Sequence, residues 1–69
     1  MKVAIAGCGQ ISSWHISALK EIGGIEIVAL VDRDEQRARQ MGALAPGARF
    51  YGDMAEMIRQ ERPASVHIL

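Results

Sequence analysis

A short apolar run that leads directly into a glycine-rich turn is the feature that most constrains the fold of this chain. Residues 3–6 are Val-Ala-Ile-Ala, and they are followed by Gly7-x-Gly9-x-x-Ser12, where a helical pattern begins. The glycine spacing alone is weak evidence, but the strand–turn–helix context indicates a dinucleotide-binding βαβ unit. Gly7 suits the backbone angles of the tight turn, and Gly9 leaves room for a pyrophosphate to approach the main chain.

The start of the first predicted helix supplies the groups that would hold this pyrophosphate. Main-chain N–H groups near Gln10 and Ile11 face the anion, and the helix dipole favours negative charge there. Ser12 stands where the motif usually has its third glycine, and it is small enough for close helix–strand packing. Cys8, between the two glycines, is interpreted as a small residue in a crowded turn rather than as a reactive thiol.

Length and composition are those of one small globular domain. The chain has 69 residues, of which 49% are hydrophobic and 23% charged, and its formal net charge is zero. The neutral charge gives no basic surface for nucleic acid, and the single cysteine fits a reducing compartment. The first residues show neither a signal-peptide pattern nor a membrane span, so we expect a cytoplasmic protein.

Apolar runs alternate with helical patterns, which predicts the order βαβαβαβ. The predicted strands are Lys2–Ala6, Ile25–Val31, Arg49–Tyr51 and Ser65–Leu69, and the predicted helices are Ile11–Ile22, Glu35–Met41 and Met54–Gln60. The short links predict an α/β fold, a partial doubly wound (Rossmann-type) parallel sheet of strand order 3-2-1-4. Because crossovers are right-handed, we expect the first two helices on one face of the sheet and the third on the other.

Periodicity also predicts which helical side chains are buried. The stripe expected on the first helix is Ile11, Trp14, Ala18 and Ile22. Apolar residues at these three- and four-residue spacings share one helix face, which places Trp14 in the core or in an interface. On the third helix the expected buried face is Met54, Met57 and Ile58, with Asp53 as N-cap and Glu56 placed for a capping box.

An aspartate at the end of the second predicted strand is the second candidate feature of a nucleotide site. Asp32 lies about 20 residues after the glycine motif, where a carboxylate can accept both ribose hydroxyls of an adenosine. A turn aspartate is the alternative, but Asp34 suits the helix N-cap, so we interpret Asp32 as the ribose ligand. Arg33 is kept as a candidate cofactor contact: it pairs with a 2′-phosphate, stacks on adenine, or is an exposed arginine without a task.

The remaining reactive side chains are interpreted as structural. His15 has no carboxylate placed to orient it, and His67 lies on the fourth strand without catalytic partners. Phe50 and Tyr51 either line the adenine side of the site or pack against their neighbours. The sequence contains no Ser/His/Asp arrangement, metal-ligand spacing or acid–base pair, so we assign no catalytic residue and no metal ligand.

The same stretches resemble the N-terminal domain of the glucose–fructose oxidoreductase / inositol dehydrogenase / rhizopine-catabolism (Gfo/Idh/MocA) family. The matching stretches are residues 2–12, 15–19, 28–34, 51–58 and 63–69. The resemblance implies an NAD(P)-dependent oxidoreductase acting on sugars, cyclitols or related alcohols, with a second, sheet-rich domain. The cofactor contacts that carry over to this chain are Gly7, Gly9, Gln10, Ile11 and Asp32.

Within this resemblance, residues 1–69 correspond to the N-terminal portion of the cofactor domain. Strands 5 and 6 and the family's Glu-Lys-Pro segment, whose lysine is catalytic, have no counterpart in the 69 residues, so we expect no turnover by this chain alone. The Asp32 carboxylate would repel a 2′-phosphate, which favours NAD over NADP. The alternatives are a non-catalytic nucleotide-binding module and a self-assembling half-domain that binds no cofactor usefully.

The fourth predicted strand indicates how copies of the chain would assemble. Residues 66–69 are Val-His-Ile-Leu, without the proline or lysine that often blocks pairing at a sheet edge. We expect two copies to pair these strands antiparallel about a two-fold axis, the commonest symmetry of homodimers. Such a homodimer would also cover the apolar face of the third helix.

Overall fold

A computed structural model describes residues 1–7 and 9–69, and for residues 10–12 it describes the backbone. The elements are β1 (Lys2–Ala6), α1 (Gln10–Lys20), β2 (Glu26–Val31), α2 (Glu35–Met41), β3 (Arg49–Tyr51), α3 (Met54–Glu61) and β4 (Ser65–Ile68). Each predicted strand and helix is therefore present. The largest difference in bounds lies at the end of α1, predicted at Ile22 and observed at Lys20. The chain turns after Lys20, where the Glu21 N–H donates to Ala18 O at 3.3 Å and the Ile22 N–H donates to Leu19 O at 3.0 Å.

The four strands form one parallel sheet in the order β3-β2-β1-β4, which confirms the predicted topology. The central strand β1 pairs with β2 on one side and with β4 on the other. It is fully buried from Val3 to Ile5, as its continuous apolar sequence requires, because both faces of a parallel sheet are covered. The carboxyl ends of β1 and β2 therefore lie side by side, each followed by the start of a helix.

Two hydrophobic clusters show which helix covers which face. One cluster joins Ile5 and Leu30 of the sheet to Ile16 of α1 and Ala38 of α2. The other joins alanines and valines of β1 and β2 to Met57 of α3. The placement of α1 and α2 on one face and α3 on the other confirms the expected right-handed crossovers. Full burial of a side chain such as Ile16 stabilises the fold by about 1.5–3 kcal/mol.

The predicted buried stripe of α1 is wrong in phase. Trp14 is 83% exposed and Ile22 is 55% exposed, whereas Ile16 and Leu19 are buried against the sheet. Ala18 is exposed as well, and the side chain of Ile11 lies outside the described residues. Ile16 and Leu19 also stand three apart, so spacing alone allows either phase, and the packing of the helix on the sheet selects this one. Trp14 is thus not a core residue of this sheet.

The start of α3 departs from its predicted capping box. Asp53 is the N-cap, as expected, and its carboxylate accepts the Ala55 N–H at 3.4 Å. The Glu56 side chain does not point back along the chain: it accepts from Gln60 at 3.1 Å and pairs with Arg59. These partners one turn ahead compete successfully for the carboxylate. Of the predicted buried face, Met57 is buried, but Ile58 is 47% exposed, which contradicts its assignment to the core.

None of the helices formed by the described residues has both the length and the apolar content that crossing a membrane requires.

Candidate functional site

The glycine turn after β1 is held by backbone hydrogen bonds, and its conformation requires Gly7. Its φ is +87°, in a region that side-chain-bearing residues rarely adopt. Its N–H donates to Val31 O at 2.8 Å, and the Leu69 N–H donates to Ala6 O at 3.0 Å. A Cβ built on Gly7 would lie 2.8 Å from the Leu69 carbonyl oxygen. Backbone conformation and space therefore both demand glycine at this position.

Gly9 is placed differently from Gly7. It is the N-cap of α1 with φ −82° and ψ −170°, an extended conformation open to any residue. A Cβ built there would enter open space, with no other atom of the described chain within 4 Å. The described residues therefore do not demand a glycine here, whereas an anion approaching the start of α1 would need this space. Gln10 and Ile11 contribute the first backbone groups of α1, and Cys8 lies outside the described residues.

The turn after β2 positions the candidate ribose ligand. Asp34 is the N-cap of α2, as predicted, and accepts from Gln36 N–H at 3.0 Å and Arg37 N–H at 3.4 Å. Asp32 is also part of the turn, because its Oδ1 accepts the Asp34 N–H at 2.8 Å. The interpretation that Asp34 relieves Asp32 of any structural role is therefore wrong. This bond orients the Asp32 side chain, whose carboxylate has about four acceptor sites in all.

Two clefts meet at Asp32 and Arg33. The glycine cleft, of about 380 Å³, lies at the carboxyl ends of β1 and β2, and it is lined by Gly7 and Asp53 as well as by these two residues. The α2 cleft, of about 260 Å³, lies on the β3 side, where Glu35 and Phe50 join them. Ligands of open α/β sheets bind outside the carboxyl ends of the strands. The predicted residues Gly7, Asp32 and Arg33 are thus brought together in one cleft of the expected kind.

The two aromatic residues of β3 have different surroundings. The Tyr51 hydroxyl donates to Glu61 Oε2 at 2.5 Å, and this bond, followed by desolvation, raises the pKa of Tyr51. The Arg49 guanidinium lies 3.8 Å from the same carboxylate oxygen. Phe50 instead lies on the other face, where Arg39 Cζ is 5.6 Å from the centroid of its ring. Both aromatic residues line the α2 cleft, so each one packs against a neighbour and also borders the candidate site.

A contact between two histidines was not predictable from their sequence spacing. His15 Nε2 and His67 Nδ1 are 2.7 Å apart, and the two rings are tilted with centroids 4.8 Å apart. The pair joins α1 to β4 beside the glycine turn, which agrees with the structural interpretation of both residues. Among the described residues, no group of three or more His, Cys, Asp or Glu side chains is arranged to hold a metal ion.

Comparison with known proteins gives consistent matches along the chain. A family model described as an oxidoreductase family with an NAD-binding Rossmann fold matches residues 1–69. D-apiose dehydrogenase of Paraburkholderia graminis is 43% identical over 61 residues, which cover 88% of this chain and 16% of that enzyme.

Solved structures give the same result for the fold. An oxidoreductase from Agrobacterium radiobacter, in complex with NAD+, L-tartaric acid and magnesium, is 32% identical with a TM-score of 0.89, and the match covers 99% of this chain and 20% of that one. A myo-inositol dehydrogenase from Lactobacillus casei, in complex with NAD(H) and myo-inositol, is 25% identical with a TM-score of 0.89, over 100% of this chain and 21% of that one. The chain therefore spans only a small part of the length of these relatives.

Proposed function

The chain belongs to the Gfo/Idh/MocA oxidoreductase family, which has an NAD-binding Rossmann fold, and on that premise we propose that its glycine cleft holds the adenosine and pyrophosphate portion of NAD. The observation that carries the proposal is the meeting of Gly7 and Asp32 in that cleft. The adenosine and pyrophosphate half of a dinucleotide requires two features. One is a turn without a side chain, as at Gly7, and the other is an oriented carboxylate, as at Asp32.

Each candidate residue has a distinct task in this proposal. Gly7 shapes the turn, Gly9 leaves the main chain open to the pyrophosphate, and the backbone N–H groups of Gln10 and Ile11 bind it. Asp32 accepts the ribose hydroxyls, and Arg33, exposed at the rim of both clefts, lies beside the adenine. When bound, NAD supplies the hydride acceptor of the oxidoreductase reaction.

We propose that the cofactor is NAD in preference to NADP. The carboxylate of Asp32 would face the 2′-phosphate of NADP and would lose its bonds to the ribose. A titration of the purified protein with NAD, NADP and ADP-ribose tests this proposal. We expect NAD and ADP-ribose to bind similarly and NADP at least about tenfold more weakly. Equal or tighter binding of NADP would contradict the proposal and would make Arg33 the phosphate ligand.

The reaction we propose is hydride transfer between NAD and a sugar, cyclitol or related alcohol. The likeness to D-apiose dehydrogenase and to a myo-inositol dehydrogenase supports this substrate class. Catalytic and substrate-binding groups would come from outside residues 1–69, because binding a dinucleotide does not by itself position an alcohol. We therefore expect the 69-residue chain to bind NAD without turnover. Reduction of NAD in a polyol panel, at a rate that follows this chain through purification, would contradict that expectation.

The homodimer and the cytoplasmic location stay predictions. The sheet has β4 at one edge, and Ile68 on that strand is 76% exposed. Since the Leu69 N–H donates to Ala6 of β1, the N–H of Ile68 points to the opposite side, where a second copy would pair. Light scattering at micromolar concentration should give a dimer, and Ile68→Pro should give a monomer. A monomeric unmodified protein would exclude this mode of assembly.

A further inference from the structure

The α2 cleft begins where the candidate ribose site ends, and this inference rests on the proposed function of that site. Asp32 and Arg33 line both clefts, whereas Glu35 and Phe50 line the α2 cleft but not the glycine cleft. In the proposed function, Asp32 binds the ribose hydroxyls from the side of the glycine cleft. A phosphate attached to one of these hydroxyls would therefore extend past the Asp32 carboxylate. The α2 cleft is the space that adjoins Asp32 on that side.

Glu35, in one wall of the α2 cleft, forms an ion pair with Arg39. Glu35 Oε1 accepts from Arg39 Nη2 at 2.8 Å and from Arg39 Nε at 3.2 Å. The same guanidinium lies over the ring of Phe50, with Cζ 5.6 Å from the centroid. Phe50 in turn packs against Gly42, where an added Cβ would come within 2.7 Å of the ring. Glu35 and Phe50, which both line the cleft, therefore hold Arg39 beside it.

The charges of this wall oppose a phosphate in two ways. Glu35 adds a second carboxylate to that of Asp32, so a 2′-phosphate entering the cleft would meet two negative groups. Glu35 also engages the guanidinium fork of Arg39, the group whose planar donors match phosphate oxygens best. We infer that the Glu35–Arg39 pair is a specificity determinant that excludes 2′-phosphorylated dinucleotides from the α2 cleft.

The pair is exposed, which fixes the size and the salt dependence of its effect. The side chains of Arg39 and Glu35 are 64% and 72% exposed, so water and salt screen their charges. Replacement of Glu35 by glutamine keeps the shape of the side chain, removes one negative charge and leaves only a weaker, neutral acceptor for Arg39, whose guanidinium is then more available to a phosphate. We expect Glu35→Gln to bind NADP about two- to fivefold more tightly at low ionic strength, with the affinity for NAD unchanged.

The experiment is a titration with NAD, NADP and adenosine 2′,5′-bisphosphate at low and at high salt. The gain of Glu35→Gln should appear with both 2′-phosphorylated probes and should shrink at high salt. The double variant Glu35→Gln/Arg39→Gln should lose the part of the gain that the guanidinium of Arg39 supplies and keep only the part due to the missing carboxylate. Glu56→Gln is the matched control: Glu56 pairs with an arginine on α3 and lines neither cleft, so NADP binding should not change.

Each other outcome overturns the inference. An unchanged NADP affinity in Glu35→Gln, an equal gain in Glu56→Gln, or a gain that persists at high salt would each show that the pair does not select against the phosphate. The affinity for NAD separates this failure from that of the proposed function. If the unmodified protein binds NAD but Glu35→Gln leaves discrimination unchanged, only the inference fails. If the unmodified protein binds neither NAD nor ADP-ribose, both fail.

Discussion

The helices α1 and α2 begin side by side at the carboxyl edge of the sheet, yet their first turns are built differently. Asp34 begins α2, and its carboxylate accepts two N–H groups of the first turn. Gly9 begins α1 and has no side chain that could do so. Capping by the chain itself is sufficient to explain the start of α2. Under the proposed function, the pyrophosphate of NAD would complete the start of α1.

The two glycines of the motif sharpen this comparison. Gly7 is demanded by the fold, since its φ is +87° and the Leu69 carbonyl occupies the space of a side chain. The described part of the chain does not demand Gly9, since its backbone is extended and none of the described atoms lies within 4 Å of a Cβ built there. This difference is what we expect if Gly7 serves the turn and Gly9 serves the proposed pyrophosphate site.

The largest effect is expected at the glycine that the fold demands. Gly7→Ala places a Cβ in a left-handed conformation and against the Leu69 oxygen, so we expect a loss of about 3 kcal/mol in the free energy of unfolding. Urea denaturation measures it. Gly23→Ala is the matched control, because a Cβ there meets nothing within 4 Å, and its stability should not fall. Equal stability of the two variants would contradict the account of the turn.

The next effect concerns the cofactor and not the fold. Asp32→Ala removes the carboxylate proposed to hold the ribose, and NAD affinity should fall by about 1.5–3 kcal/mol, or tenfold to a hundredfold. NADP affinity should change much less, so that the preference for NAD shrinks. Competitive titration with both dinucleotides measures the two affinities in parallel. If Asp32→Ala keeps the full preference for NAD over NADP, another group must bind the ribose hydroxyls.

A smaller effect, on stability and not on NAD affinity, is expected at the N-cap of α2. Asp34→Ala leaves two N–H groups of the first turn without their acceptor, which should cost about 1 kcal/mol of stability. Under conditions in which the variant is folded, its NAD affinity should stay close to that of the unmodified protein. Urea denaturation followed by NAD titration separates the two quantities. A large loss of NAD affinity would show that the start of α2 also contributes to cofactor binding and does not serve stability alone.

The order and pairing of the strands could be predicted because they depend on local signals. Continuous apolar runs, glycine turns and aspartate caps are each read within a few residues, and the handedness of crossovers then allows few topologies. The meeting of Gly7 and Asp32 at one edge follows from the same topology. This part of the candidate site was therefore accessible from the sequence.

What could not be predicted depends on relations between elements. Two phases of apolar spacing exist on α1, and only its docking on the sheet selects Ile16 and exposes Trp14. The His15–His67 pair joins residues 52 positions apart in the chain, for which no spacing rule exists. The sequence pattern assigns Asp32 to a ligand alone, whereas the backbone N–H of Asp34 gives it a structural bond as well.

The substitution Gly9→Asp tests the central claim most directly, since it gives α1 the kind of start that α2 has. A cap carboxylate should leave the stability unchanged or raise it by a few tenths of a kcal/mol. The same carboxylate would take the place proposed for the pyrophosphate, so NAD affinity should fall at least about tenfold. Gly23→Asp, with the same charge change at another exposed glycine, is the control and should bind NAD as before. We predict a stable Gly9→Asp protein that no longer binds NAD well, and undiminished NAD affinity in that protein would contradict the account.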